Sequence, residues 1–435
     1  MTIFKNIRLG FLHIAVAITF VAINGVLNRI MIHDLGILST VVAGLVVLPY
    51  VLSPAQVWMG QYSDTHPLWG SRRTPYMLFR ILLCVGGMVL TPFAALLLAK
   101  TFLVGLVVGI VAFGLWGIGY NMAVVSYLSL ASDLSTEAQR SRTIAIMWFM
   151  MITSIIISAI TIGRALEPYS EAQLLRVFLL TGGVALLVAI LGLIGLEPYN
   201  VTQPGAHMQS RTSQRLAIQA VLDNPQARLF FIYFILLMVA ILGQDVLLEP
   251  FGAHAFGMSV EETTQLTALW GSTTLIALLV YGVGLSRWIS KKQGATLGGI
   301  IAMIGLFLIA ASGLWQMATV FRPGIAILGF GTGIATATNL GLMLDMTTTE
   351  QAGLYIGAWG VADAIARGIG MLLGGIVRDM ITWTTGNVGL GYVTVFFIEA
   401  IFLLLSLALL AQIDAVRFRS RQPTLMELAA LSSDA

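Results

Sequence analysis

Apolar runs, each about the length needed to cross a lipid bilayer, follow one another along the chain with short polar breaks between them. Twelve runs qualify, at 9–32, 37–60, 76–98, 102–130, 143–163, 175–195, 229–253, 264–285, 294–315, 323–345, 352–376 and 391–412. None shows the two-residue alternation of a strand over its length, so twelve transmembrane α-helices are predicted and a β-barrel is excluded. The longest polar interval, 199–228, contains Asn200, Gln203, Pro204, Gly205, Ser210 and Arg211 and divides the runs six and six. The predicted organisation is a six-helix half over 1–198, a central loop over 199–228, a second six-helix half over 229–412 and a tail over 413–435.

Composition points the same way, to an all-α integral membrane protein. Only 10% of the 435 residues are charged, against about 25% in soluble domains, and so few charges cannot cover a soluble surface. The apolar run after Lys5 and Arg8 resembles the core of a signal peptide. It is longer, lacks a small-residue cleavage site and is followed by further runs, so it is read as the first span. The single cysteine, Cys84, excludes an internal disulfide framework and any cysteine-based metal site.

The net charge of +3 does not signal nucleic-acid binding, because the basic residues sit in short loops between apolar runs. Their expected counterpart is the anionic surface of the lipid bilayer. With the N-terminus placed in the cytoplasm, 16 of the 23 basic residues fall in inside segments or at the inside end of a run (Arg80), five in outside loops or at the outside end of a run (Arg176), and two, Arg29 and Arg367, within spans. Both termini are therefore predicted to be cytoplasmic, in a bacterial inner membrane of cytoplasmic, intracytoplasmic or thylakoid type.

A weak internal repeat supports the division into halves. Val26-Leu27-Asn28-Arg29 in the first span aligns with Val246-Leu247-Leu248-Glu249 in the seventh, and Gly36 then follows at almost the same offset as Gly257. Two six-helix halves joined by a central cytoplasmic loop describe the major facilitator fold. The loop between spans two and three adds a motif of that superfamily, with Gly60, Asp64, Gly70, Arg72 and Arg73 at nearly the usual spacing. Its glycines let helix ends approach, and its carboxylate at a helix end can pair with arginines across the seam, as a gating latch. The insert Thr65 to Trp69 departs from the usual motif, and the matching second-half loop carries Ser286 where Asp64 would fall. The fifth span has no Gly-Pro kink of the drug-antiporter kind, and Glu197-Pro198-Tyr199 lacks the basic residue of the sugar-porter signature.

Five stretches carry a sharper resemblance: Leu27–Ile32, Gln61–Leu68, Arg72–Tyr76, Gln244–Gly252 and Gly353–Gly360. In order and across both halves, they resemble the PucC family, also called bacteriochlorophyll delivery proteins. The resemblance implies a role in assembling light-harvesting antenna complexes, by supplying or shielding (bacterio)chlorophyll as antenna polypeptides insert. It implies (bacterio)chlorophyll and those polypeptides as partners, with the pigment held transiently and no covalently bound cofactor.

Charge inside a span is costly, at least about 2.5–3.5 kcal/mol on insertion scales, so each such residue should face protein or water. His13, Asn24 and Asn28 share a helical stripe on the first span, with Arg29 beside it. Asp245 and Glu249 lie four apart on the seventh span with Gln244 adjacent. An ion pair from Arg29 to Glu249 or Asp245 across a central cavity is the predicted contact. It would serve as a structural bridge or as a conformationally switched pair. On the eleventh span Tyr355, Trp359, Asp363 and Arg367 recur at intervals of four. Asp363 and Arg367 are expected to pair along the helix, while Trp359 either offers a flat face to a macrocycle or packs as an ordinary aromatic. By family analogy a pigment magnesium takes one neutral axial donor, and His13 is the one histidine well inside a span. Glu399 in the twelfth span receives no role.

Gly329, Gly331 and Gly333 superficially match a dinucleotide loop, but they sit in an apolar span with no preceding strand. Close helix packing accounts for them, as for Gly105/Gly109 and Gly370/Gly374. No nucleophile–base pair, metal cluster or phosphate loop occurs, so an enzyme is not expected. Two other readings compete with pigment delivery. One is a proton-coupled secondary transporter of another small amphipathic solute, using Asp245 or Glu249; the other is a non-transporting assembly scaffold for antenna helices. The topology is directly testable. Reporter fusions after Lys100, in the 164–176 loop and near Arg322 are expected outside, and fusions at 205–215 and after Arg421 in the cytoplasm. A cytoplasmic signal from the 164–176 loop would overturn the twelve-span arrangement.

Overall fold

The computed structural model describes residues 3–52, 74–134, 137–194, 225–346 and 352–413, and the fold is stated for these. The described residues are helical throughout, with no strand. The first half contains α1 (Ile3–Phe20), α2 (Ser39–Val51), α3 (Thr74–Lys100), α4 (Phe102–Leu134), α5 (Glu137–Ala165) and α6 (Glu171–Leu193). The second contains α7 (Pro225–Leu242), α8 (Leu248–Phe256), α9 (Val260–Val283), α10 (Lys291–Trp315), α11 (Ala318–Met346), α12 (Ala352–Thr385) and α13 (Val388–Gln412). Eleven segments are long and apolar enough to cross a membrane. With α2, whose described part is the shorter Ser39–Val51, they make the twelve crossings of the major facilitator fold.

Two spans depart from regular α-helix. The first continues past Phe20 as π-helix over Val21–Leu27 and Ile30–Asp34. The seventh is interrupted between α7 and α8 by a 3₁₀ turn, Gly243–Val246. Each ends on a glycine in the left-handed region, Gly36 at φ +65° and Gly257 at φ +63°. A side chain at either would be strained, so the matching glycines give the first span of each half the same stop. Other boundaries are set by caps. Ser259 and Glu262 form a capping box on α9, Ser290 and Gln293 one on α10, and Asn387 accepts from the Leu390 amide at the start of α13.

The near side of the bundle, where α1 begins, and the far side, where Asp34 and Ser39 lie, are marked by exposed tryptophans. Trp288 lies at the near end of the second half, and Trp315 and Trp383 lie at its far end, as expected where a bundle meets the two interfaces of a bilayer. Two basic residues counted with the loops are instead buried within helices. Arg80 is 3% exposed in α3 and donates to the Ser126 hydroxyl, and Arg378 is 7% exposed in α12 and pairs with Asp379 at 2.8 Å. Each finds a polar partner inside the protein, a hydroxyl for Arg80 and a carboxylate for Arg378.

Within each half, helices approach closely where glycine removes the side chain. At Gly298 on α10 a Cβ would meet the Ala335 amide nitrogen of α11 at 2.6 Å. The halves meet along two further pairs, α2 with α12 and α5 with α9, and through the first and seventh spans. Gly375 of α12 lies so close to α2 that a Cβ there would meet the Ser39 carbonyl oxygen at 2.8 Å. Gly298→Val is expected to force α10 and α11 apart and destabilise the protein by about 1–3 kcal/mol. Gly44→Val, facing open space, should leave thermal unfolding in detergent almost unchanged. Equal melting shifts for the two variants would contradict this packing.

Candidate functional site

Chemistry-bearing side chains converge on the seam between the halves at two levels. At mid-depth, Arg367 of α12 donates from Nε to Asp363 Oδ2 at 2.9 Å, and its Nη1 lies 4.0 Å from Asp245 Oδ2 in the 3₁₀ turn of span seven. The guanidinium also sits over the Tyr50 ring of α2, 5.7 Å from its centroid. Gln244 donates to Asp245 Oδ1 at 2.8 Å. Around this cluster stand aromatic rings from both halves. Phe20 and Tyr120 lie 6.2 Å apart, Trp116 and Tyr120 5.7 Å apart, and Trp359 packs on Phe234 at 3.9 Å.

The 3₁₀ turn is what places Gln244 and Asp245 in the seam. A helix that changes pitch releases backbone carbonyls from the regular ladder, and here Asn28 Nδ2 takes them up. It donates to the carbonyls of Asp245 at 3.2 Å and Val246 at 3.3 Å. The first and seventh spans are thereby joined through one amide side chain. Asn24, one turn away, instead donates to the Phe20 carbonyl on its own helix at 3.1 Å.

At the far side, Arg29 is 4% exposed and donates from Nη1 to Asp34 and from Nη2 to the Met258 carbonyl at 3.1 Å. The expected Arg29 pair with Glu249 or Asp245 does not form. Glu249 accepts from Thr267 Oγ1 at 2.6 Å, and Asp245 turns to Arg367. The reason lies in the helix winding. Arg29 and Asp34 are five apart, which on an α-helix puts them on different faces, but the π-helical i→i+5 pattern brings residues at that spacing together. Hydropathy carries no trace of this winding. The Arg29/Asp34 spacing at the end of a span is the one signal that could have suggested the pair.

Other residues of this level received no role from sequence. Asp379 of α12 accepts from the Ser39 and Thr40 amides at 3.2 and 2.8 Å and from the Thr40 hydroxyl at 2.8 Å. It thus caps α2 from the opposite half. His33 and His254 meet edge to face at 4.6 Å, and Arg164 Nε reaches Glu261 Oε1 at 3.3 Å.

The remaining candidates are dispersed. His13 is buried, with its ring 4.5 Å from that of Tyr127 and 6.4 Å from that of Trp148. Its Nδ1 has no hydrogen-bond partner among the described residues, yet a macrocycle bound there would have to displace these rings. Trp359 spends one face on Phe234 as a packing aromatic. Glu399 is buried with neither oxygen partnered among the described residues, and it lies against Gly243, where a Cβ would meet its Oε1 at 2.6 Å. Gly60, Asp64, Gly70, Arg72 and Arg73, the proposed loop latch, lie outside the described residues. No group of three or more metal-ligating side chains occurs among the described residues.

Comparison with known proteins places this seam in a family. The model of the family described as PUCC protein matches residues 26–418. The chain belongs to the PucC family. Protein PucC of Cereibacter sphaeroides is 31% identical, with 93% of this chain and 90% of that protein covered. Protein PucC of Rhodobacter capsulatus is 30% identical, with 93% and 91% covered. A Rhodobacter capsulatus protein named bacteriochlorophyll synthase 44.5 kDa chain is 28% identical, with 96% and 97% covered. Among solved structures, a point variant of the nucleoside transporter NupG superposes with a TM-score of 0.71 at 14% identity, covering 94% of this chain and all of that one. An inward-facing bacterial homologue of the lysosomal transporter Spinster gives 0.70 at 15% identity, covering 98% and 100%. This PucC-family chain therefore carries a transporter-like fold, and the two structural likenesses speak to fold alone.

The pairing scheme of the seam is testable by double-mutant comparison. Asp34→Ala, which leaves the buried Arg29 guanidinium without its carboxylate, is expected to destabilise more than Arg29→Ala, which leaves only the more exposed Asp34 unpaired. Their combination should fall short of the sum by more than about 1 kcal/mol. Arg29→Ala with Glu249→Ala should be closer to additive. Thermal unfolding in detergent reads both cycles, and coupling to Glu249 stronger than to Asp34 would contradict the observed geometry.

Proposed function

We propose that this PucC-family protein assists assembly of light-harvesting antenna complexes in a photosynthetic bacterial membrane, by delivering or shielding (bacterio)chlorophyll. The observation that carries the reading is the match of nearly the whole chain to proteins named PucC and to a bacteriochlorophyll synthase chain. The seam adds chemical support. It sets a compact polar cluster, Asp245–Arg367–Asp363, beside the aromatic rings of Tyr50, Tyr120 and Trp359. Such a surface suits a flat, largely apolar molecule with polar edge groups better than a small hydrophilic solute. In this reading the protein is not an enzyme. It binds, orients and releases its cargo, and antenna polypeptides are its macromolecular partners. In this reading both termini lie in the cytoplasm, which the basic-residue asymmetry supports.

A second reading has its own observation. Asp245 and Glu249 are carboxylates of the seam on an interrupted span, the arrangement secondary transporters use at mid-membrane. The protein would then couple a proton to another amphipathic solute. One experiment separates the two. In a pigment-producing host lacking the native gene, the purified wild-type protein is expected to retain (bacterio)chlorophyll and restore antenna absorbance. Arg367→Gln, which removes the cation between Asp245 and Asp363, should reach normal abundance with antenna absorbance reduced several-fold. Proton-dependent uptake in proteoliposomes, with no pigment retained and antenna levels unaffected, would establish the transporter reading instead.

A further inference from the structure

On the outer surface of the first half, α5 and α6 splay apart and α1 forms the floor between them. The resulting groove has a volume of about 470 Å³ and runs along α5 from Phe149 to Ala165, with Ile14 and Ile18 beneath and Leu180 and Val184 on the opposite wall. At 1.5 Å per residue this stretch is about 24 Å long, most of the roughly 30 Å hydrocarbon thickness. Volume over length gives a mean cross-section on the order of 20 Å², the width of one extended hydrocarbon chain. A helix about 10 Å across needs several times that area. Of the hydroxyls in the groove, Thr153 donates to the Phe149 carbonyl and Thr161 to the Ile157 carbonyl, both at 2.8 Å, and Ser154, Ser158 and Thr181 also line it. What the groove offers a ligand is mainly apolar surface.

Near the far mouth of the groove lie Arg176 and Arg164, with the exposed Glu167 in the turn between α5 and α6. Arg176 is exposed one turn above Leu180 on the same face of α6, and it has no carboxylate partner among the described residues. Arg164 lies one turn beyond Thr161 on α5 and shares its charge with Glu261 at 3.3 Å. The other cation on this rim, Lys100, is paired with Glu171 at 3.7 Å. A free guanidinium above a one-chain apolar groove is complementary to an anionic headgroup above a single tail. We propose that the α1–α5–α6 groove is a specific site for an anionic phospholipid of the far leaflet. One acyl chain lies in the groove and the phosphate sits at Arg176, with Arg164 beside it. This site is independent of the seam and of the cargo proposed for it.

The test is native mass spectrometry of the full chain, delipidated in detergent and titrated with phosphatidylglycerol or phosphatidylcholine. The wild type is expected to retain one phosphatidylglycerol in preference to phosphatidylcholine. Arg176→Gln, an exposed change, should lower that preference about fivefold, the worth of one basic residue at an anionic surface. Thr161→Trp, which fills the groove, should abolish retention of both lipids while the melting temperature in lipid-free detergent stays as in the wild type. Equal retention of the two lipids by the wild type would overturn the proposal, and so would an unchanged preference in Arg176→Gln. Phosphatidylglycerol still held by Thr161→Trp would do the same, as would a pigment tail found in the groove in place of a phospholipid.

Discussion

A charge within a bilayer has to be answered from inside the protein, and the arrangement of the two halves follows from that constraint. Arg29 is the clearest case. Its guanidinium is buried at the far end of the first span, bonded to Asp34 on its own helix and to the Met258 carbonyl from the second half. Asp379 answers in the other direction, its carboxylate spent on the free amides that start α2. Each half thus completes polar groups that the other leaves open. The far side is joined by hydrogen bonds whose loss would strand charge or backbone donors in apolar surroundings.

The same constraint explains why the irregular backbone sits where it does. A change of pitch in a membrane helix is tolerated where neighbours take up the released groups. The 3₁₀ turn of span seven exposes the carbonyls of Asp245 and Val246 to Asn28, and the π-helical stretch of span one brings Asp34 round to Arg29. Both interruptions lie in the first span of a half, and both spans stop at a left-handed glycine. The repeat is therefore carried by backbone conformation more faithfully than by side-chain identity. Arg29 and Glu249 align in sequence, yet they have unrelated partners, Asp34 and Thr267.

At mid-depth the seam sets one cation, Arg367, between two carboxylates, Asp245 and Asp363, with the Tyr50 ring against it. Transporter-like solved structures share the fold at 14–15% identity, which is too distant to carry a substrate across. Within that fold the chain belongs to the PucC family. The outer groove is separate chemistry again, mainly apolar along its length. It opens on the outer surface of the first half, whereas the seam faces the partner half.

By itself the sequence determined the features that depend on local composition or on one helix. These are the spans, the family, and the Asp363–Arg367 pair, whose members lie four apart on one uninterrupted helix and meet at 2.9 Å. It also located Asn28, Gln244 and Asp245 as polar residues that had to face protein. Only the tertiary structure decided their partners. Asn28 reaches backbone carbonyls 217 and 218 residues away, and Asp379 caps a helix 339 residues before it. Arg29 pairs according to a helical pitch that the hydrophobic pattern does not record. Hydrophobicity fixes which faces are buried because it acts on surface area whatever the neighbour. Hydrogen bonds and ion pairs depend on distance and direction, and those exist only once the halves have packed.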